Sequence, residues 1–190
     1  MTTIAAVQGE AWAVVGYDSR VTEDNSKIYT LPKDNGKVFK NGNYLIGCAG
    51  DLRAINLLAY VFKPPVCSAT AYGARLDKFM TAVFIPELKK CFEDASYSKD
   101  GEHDSQLLVV INGTVYEIGE DYAWGRDESG VYTIGSGSSY AQGALLATLE
   151  TRKRTLATAK TLIRQAITIA SRLDPSTSPP IYVSVQHFGS

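Results

Sequence analysis

The sequence predicts an α+β fold in which two central sheets are flanked by layers of helices. Three observations predict it. Short β-patterned runs and longer helical runs arrive in alternating blocks, and two Asn-Gly pairs each lie between β-forming runs, the mark of a hairpin. In addition, 190 residues with 45% hydrophobic content are enough to bury a substantial core. A sheet with an apolar face must cover it, so strand blocks separated by helix pairs favour a layered α+β arrangement over a doubly wound one.

Taken in order, the first block holds strands over 3–7 and 11–17, joined by Gln8-Gly9-Glu10, and over 38–40 and 44–48, joined by Asn41-Gly42-Asn43. The period then becomes helical over 50–62 and 69–95, with Leu76, Phe79, Met80, Val83, Phe84 and Leu88 at helical spacing and Pro64-Pro65 between the two helices. Strand patterning returns over 106–111 and 114–118 around Asn112-Gly113, and again over 131–134. Helical spacing follows over 138–149 and 156–170, until Pro175 interrupts and 181–185 closes with a strand. The polar run 93–105 reads as an exposed loop. No fixed-period repeat and no low-complexity tract interrupts this order, so residues 1–190 are expected to form one domain.

Composition removes several functional classes. Nineteen basic against 20 acidic residues give a net charge of −1, which leaves no electrostatic footprint for a phosphate backbone, so no nucleic-acid partner is expected. Apolar runs such as Leu107 to Ile111 fall far short of the roughly 18 residues a spanning helix needs, so no membrane partner is expected either. The N-terminus lacks a basic n-region and runs straight into strand pattern, which argues against a secretory signal. Cys48, Cys67 and Cys91 cannot all pair and match no zinc or redox spacing, so a cytoplasmic, reducing setting without metal or cofactor is expected. His103 and His187, the two histidines, leave little room for a histidine-based metal centre or a serine-histidine triad.

A hydrolase without a usable histidine needs another base. A threonine at a mature N-terminus provides one, because its hydroxyl is the nucleophile and its own α-amine, with a pKa near ~8, takes the proton. Met1-Thr2 offers that arrangement once the initiator methionine is removed.

The run Gly16-Tyr17-Asp18-Ser19-Arg20-Val21-Thr22, together with Thr2-Thr3-Ile4-Ala5, Asn35-Gly36-Lys37-Val38-Phe39, Ile46-Gly47-Cys48-Ala49-Gly50-Asp51 and Gly135-Ser136-Gly137-Ser138, resembles the β-subunits of the proteasome and their HslV-type bacterial relatives. The pieces are short, but they fall in the right order over nearly the whole chain. The resemblance implies a four-layer αββα N-terminal-nucleophile (Ntn) hydrolase fold, in agreement with the block order, and a threonine peptidase acting on peptides or unfolded proteins. It also implies homo-oligomeric rings enclosing the sites, served by a separate ATPase unfoldase, since this chain carries no ATP-binding motif.

Carried over by position, Thr2 is the nucleophile. Lys37 places an ammonium near its hydroxyl and Asp18 holds that lysine charged. Ser136 contacts the terminal amine, Asp174 orients both, and Ser138 is left to cap the following helix. Gly47 and Thr22 present backbone to the oxyanion and the substrate, and Val21, Asn35, Leu45, Ala49 and Arg53 border the specificity pocket. After the aspartate, family members commonly continue with a serine three positions on and then glycines. Here the chain reads Asp174-Pro175-Ser176-Thr177-Ser178-Pro179-Pro180, so Thr177 supplies the hydroxyl and the prolines stiffen the loop. Two other readings stay open: a catalytically silent subunit serving assembly, and a small-amide hydrolase on the same fold.

Overall fold

Strand alternation sorts the apolar side chains of this protein into three cores, and the three cores define four layers. The computed structural model describes residues 2–23 and 27–188. Strands β1 (Ile4–Gln8) and β2 (Trp12–Asp18) pair antiparallel, with Ile4 opposite Tyr17. Their odd and even positions face opposite ways. Ile4, Ala6, Val15 and Tyr17 enter a core between two sheets, whereas Ala5, Val7 and Val14 enter a core beneath helices. The same sorting holds in β6 (Tyr44–Gly50) and β7 (Ser105–Ile111). Leu45, Ala49, Leu108 and Val110 face the other sheet, and Ile46, Cys48, Leu107 and Val109 face a second helix layer. Burial on both faces is why a run such as Leu107 to Ile111 reads as continuously apolar.

One sheet has the order β10-β1-β2-β11, using β10 (Val131–Ile134) and β11 (Ile181–His187). The other has the order β5-β6-β7-β8-β9, using β5 (Val38–Asn41), β8 (Thr114–Ile118) and β9 (Trp124–Gly125). Helices α4 (Ser138–Leu149) and α5 (Leu156–Leu173) cover the first. Helices α1 (Leu52–Tyr60), α2 (Ala74–Phe79) and α3 (Ile85–Asp94) cover the second. This is the α+β, αββα layering expected from the block order.

Several boundaries differ from the sequence reading, each for a local reason. The second helix begins at Ala74 instead of residue 69, because residues 68–71 turn to meet Asn112, whose amide donates to the Ser68 and Ala71 carbonyls at 2.9 and 3.0 Å. That helix also widens into a π-turn over Met80–Phe84 just before Pro86, which has no N–H to donate back into the turn. Ser138 does not cap α4: it is the first helical residue, Gly137 occupies the cap position, and no side-chain cap bond forms. The hairpin β3 (Arg20–Glu23) and β4 (Lys27–Thr30), too polar to read as strands, forms a separate two-stranded sheet. Asn112-Gly113 turns between β7 and β8 as expected, both residues at positive φ (49° and 69°), as a type I′ hairpin requires. Among the described residues no helix is long and apolar enough to cross a membrane.

Candidate active site

The N-terminal segment enters the sandwich between the end of β2 and the glycine-serine turn that follows β10. Ahead of β1, the Asp18 amide donates to the Thr3 carbonyl at 3.2 Å, so Thr3 continues the pairing with β2. Two buried carboxylates then approach from different elements, Asp18 from the last position of β2 and Asp174 from just past the last turn of α5.

Asp18 is a hub. Its Oδ1 accepts from the Thr3 amide at 2.9 Å and from Lys37 Nζ at 2.7 Å, and its Oδ2 accepts from the amides of Arg20 at 3.0 Å and Ser178 at 3.2 Å. Lys37 is 1% exposed and Asp18 0%, so this is a buried ion pair. Burial pulls the Lys37 pKa below the usual lysine value, while the Asp18 charge and hydrogen bond, and more weakly Asp174, act to keep it protonated. Because Lys37 and the Thr3 amide share one acceptor oxygen, the ammonium stands against the Thr2–Thr3 peptide.

Among the described residues no cation forms a salt bridge with Asp174, which is held by hydrogen-bond donors. Its Oδ2 accepts from Ser136 Oγ at 2.7 Å and Thr177 Oγ1 at 2.6 Å, and its Oδ1 from the Ser176 amide at 3.0 Å. A carboxylate at a helix C-terminus runs against the helix dipole, so local donors have to hold it. Burial raises its pKa, but the bonds from Thr177, Ser136 and Ser176 outweigh that and leave it below the usual carboxylate value. A hydroxyl has one proton, and Ser136 gives its proton to Asp174. Its oxygen is thereby left to accept from Thr2 N at 3.2 Å, the atom that becomes the α-amine when Thr2 is first in the chain.

The glycines on either side of Ser136 exist for contact. A Cβ on Gly135, at φ +90°, would meet the Thr2 carbonyl oxygen at 2.1 Å. One on Gly137 would meet Thr3 Oγ1 at 2.0 Å and Thr177 Oγ1 at 3.0 Å. The run therefore lets the start of the chain lie directly on the turn.

The structure thus brings together Thr2, Asp18, Lys37, Ser136, Asp174 and Thr177, and the residues expected around a specificity pocket come from several different elements. Val21 is buried on β3 opposite Tyr29, and Thr22 is half-buried opposite Ile28. Asn35 is exposed in a short turn, 3.4 Å from the Tyr60 hydroxyl. Leu45 and Ala49 lie in the core between the sheets, Leu45 also lining a hollow of about 400 Å³ with Tyr17, Lys33 and Val185. Arg53 turns toward the end of α3, donating to the Ala95 carbonyl and lying 5.9 Å from the Tyr97 ring centre. Gly47 sits inside β6 opposite Val38, and a Cβ there would meet the Ile4 and Val38 side chains at 3.3 Å. Met1 lies outside the described residues.

The sequence reading missed Thr3, Arg20 and Ser178. Arg20 Nη1 donates to the Pro175 carbonyl at 2.6 Å and the Ser19 amide to the Ser178 carbonyl at 3.3 Å, fastening the proline-rich loop across Asp18. Strand parity was the available signal for Thr3, since it shares the face of Ala5 and Val7, toward α4 and α5.

Two antiparallel sheets between helix layers, with the first strand's leading threonine set against a lysine-carboxylate pair and a serine-carboxylate pair, form the proteasome-like Ntn fold. No family model matches the chain. Among solved structures, BPH from Thiobacillus denitrificans, solved in complex with epoxomicin, is similar at TM-score 0.77 and 17% identity over 98% of each chain. HslV from Trypanosoma brucei is similar at TM-score 0.68 and 20% identity over 97% of this chain and 99% of that one. Anbu, an ancestral beta-subunit from Yersinia bercovieri, is similar at TM-score 0.69 and 15% identity over 99% of this chain and 83% of that one. At these identities the likeness establishes the fold.

Proposed function

We propose that this protein is a threonine peptidase subunit whose nucleophile is Thr2 after removal of Met1. One observation carries the reading: the nitrogen of Thr2 already rests at 3.2 Å on Ser136 Oγ, which is itself bonded to Asp174, while a buried lysine shares an acceptor with the next amide. With Thr2 first in the chain, its α-amine takes the proton from its own hydroxyl, and the oxygen attacks the scissile carbonyl to give an acyl ester. Lys37 stabilises the developing alkoxide, Ser136 and Asp174 hold the amine, and the proton passes to the leaving amine. Water, activated by the same α-amine, then hydrolyses the ester. The substrate is a peptide or unfolded protein. Copies of the chain assemble into rings that enclose the site, in the cytoplasm, served by a separate ATPase; that one neighbour of the fold is an ancestral beta-subunit supports a role as a subunit.

The test uses protein released from a cleavable fusion so that it begins at Thr2. Epoxomicin should add one inhibitor mass to it, and Thr2→Ala should fold alike, take up no inhibitor and lose at least about a thousandfold in peptide turnover. An intact mass unchanged by epoxomicin, with no peptide hydrolysis, sinks this reading.

A further inference from the structure

Thr3 is 0% exposed, and its Oγ1 lies 2.5 Å from Thr177 Oγ1. The direction of that bond follows from proton counting. Thr177 has one hydroxyl proton and gives it to Asp174 Oδ2 at 2.6 Å, because an ionised carboxylate can only accept. Thr3 is therefore the donor, and a chain of hydroxyls runs from Thr3 through Thr177 to Asp174, where Ser136 arrives from the other side carrying the Thr2 nitrogen. The backbone of Thr3 meanwhile donates to the Asp18 oxygen that holds Lys37. The residue next to the nucleophile is thus tied to both carboxylates, one through its amide and one through its side chain.

We infer that Thr3 is a positioning residue that sets the basicity of the Thr2 α-amine through the Thr177–Asp174–Ser136 chain. The inference rests on Thr2 being the nucleophile. Donation by Thr3 makes Thr177 a stronger donor to Asp174, since hydroxyls in series polarise one another. A better-satisfied Asp174 draws less on the Ser136 proton. The Ser136 oxygen is then a weaker acceptor, so it stabilises the ammonium form of the amine less and the amine stays a free base at lower pH. Without the Thr3 hydroxyl the sequence reverses: Asp174 leans on Ser136, the ammonium gains, and the amine pKa rises.

The experiment compares protein beginning at Thr2 with Thr3→Val, which keeps the shape, and Thr3→Ser, which keeps the hydroxyl. Two readouts are taken: titration of the α-amine through the pH dependence of its reaction with an amine reagent, and the pH profile of kcat and KM on a small fluorogenic peptide. In Thr3→Val the amine pKa and the acid limb of the profile should both move up by about half a pH unit, and kcat should fall about threefold at neutral pH with KM within about twofold. Thr3→Ser should restore the wild-type titration. A loss of packing alone would lower stability without moving either titration. If Thr3→Val titrates and turns over like wild type, the inference is overturned while the peptidase reading stands. If wild type neither turns over peptide nor takes up inhibitor, the peptidase reading fails, and the amine titration still decides whether Thr3 controls the amine.

Discussion

At the chain start Asp18 accepts four hydrogen bonds and Asp174 three. Just before β7 and in the turn after β8, the side chains of His103 and Tyr122, 4% and 6% exposed, make no well-formed hydrogen bond with any described residue. Their rings pack 4.6 Å apart, with Phe92 5.1 Å from His103. Burial of an unpaired polar group costs free energy, so the two clusters record different requirements. Around Asp18 and Asp174 backbone and side chains from separate segments of the chain converge to fix directions, and among the described residues only Ser19 Oγ there is buried without a partner. Around His103 the ring fills space among aromatics and its nitrogens are left over. Dense pairing marks the place where geometry is specified, and orphaned polarity marks packing.

Breaking the ion pair is the strongest test of that contrast. Lys37→Met leaves the Asp18 charge buried with amide donors but no cation. Losing one partner of a buried pair costs about 3–5 kcal/mol, read as a drop in the urea midpoint at unchanged slope. Epoxomicin uptake should fall at least about a hundredfold, because nothing then offsets the alkoxide charge. Unchanged stability would mean that the amides alone satisfy Asp18 and that the pairing carries no energetic weight.

Asp174→Asn sharpens the comparison between the two carboxylates. The substitution keeps an acceptor oxygen but removes the charge, and its amide group opposes one of the donors now aimed at it. A loss of about 1–3 kcal/mol is expected, smaller than for Lys37→Met because no ion is left unpaired. Inhibitor uptake should slow about tenfold or more, as the amine loses its fixed orientation. Equal losses in the two variants would erase the distinction between an anion held by a cation and one held by hydroxyls.

The fold was legible because its strands are buried on both faces and its helices carry regular stripes, such as Ala159, Leu162, Ile163, Ala166, Ile167 and Ala170 on α5. The pairing of β3 with β4 was not legible, because the alternation there sets charges beside single apolar residues and the sequence lacks a dipeptide of hairpin type. Within the site, the residues fixed by short motifs at strand ends or turns were found: Asp18 ends β2, Ser136 lies between close-contact glycines, and Asp174 follows α5. Thr3 was missed because its partner lies 174 positions away and only the third dimension joins them. For Arg53 a helix position does not fix the reach of a long side chain, and its bond to the Ala95 carbonyl at the end of α3 could not be read from the sequence.

The smallest expected effect probes the cluster without partners. Burial lowers the His103 pKa, opposed by the Gly119 backbone and the Asp104 and Asp121 carboxylates. With the folded value depressed, the unfolded chain takes up the proton first, from about pH 6.5 downward. Stability from this group is therefore complete at neutral pH and is lost as pH falls below the unfolded value, by at most about 1.4 kcal/mol per pH unit until the folded value is reached. His103→Phe removes the titration and the two unpaired nitrogens while keeping a ring between Phe92 and Tyr122. At pH 7.5 the variant should lie within about 1 kcal/mol of wild type or above it, because only a weak interaction with the Gly119 backbone is given up. At pH 5.5 it should be the more stable of the two, so the gap between their denaturation midpoints widens toward acid. A gap that stays constant with pH would show that His103 is protonated as readily in the folded protein as in the unfolded chain, which requires a partner for its ring and removes the contrast with Asp18 and Asp174.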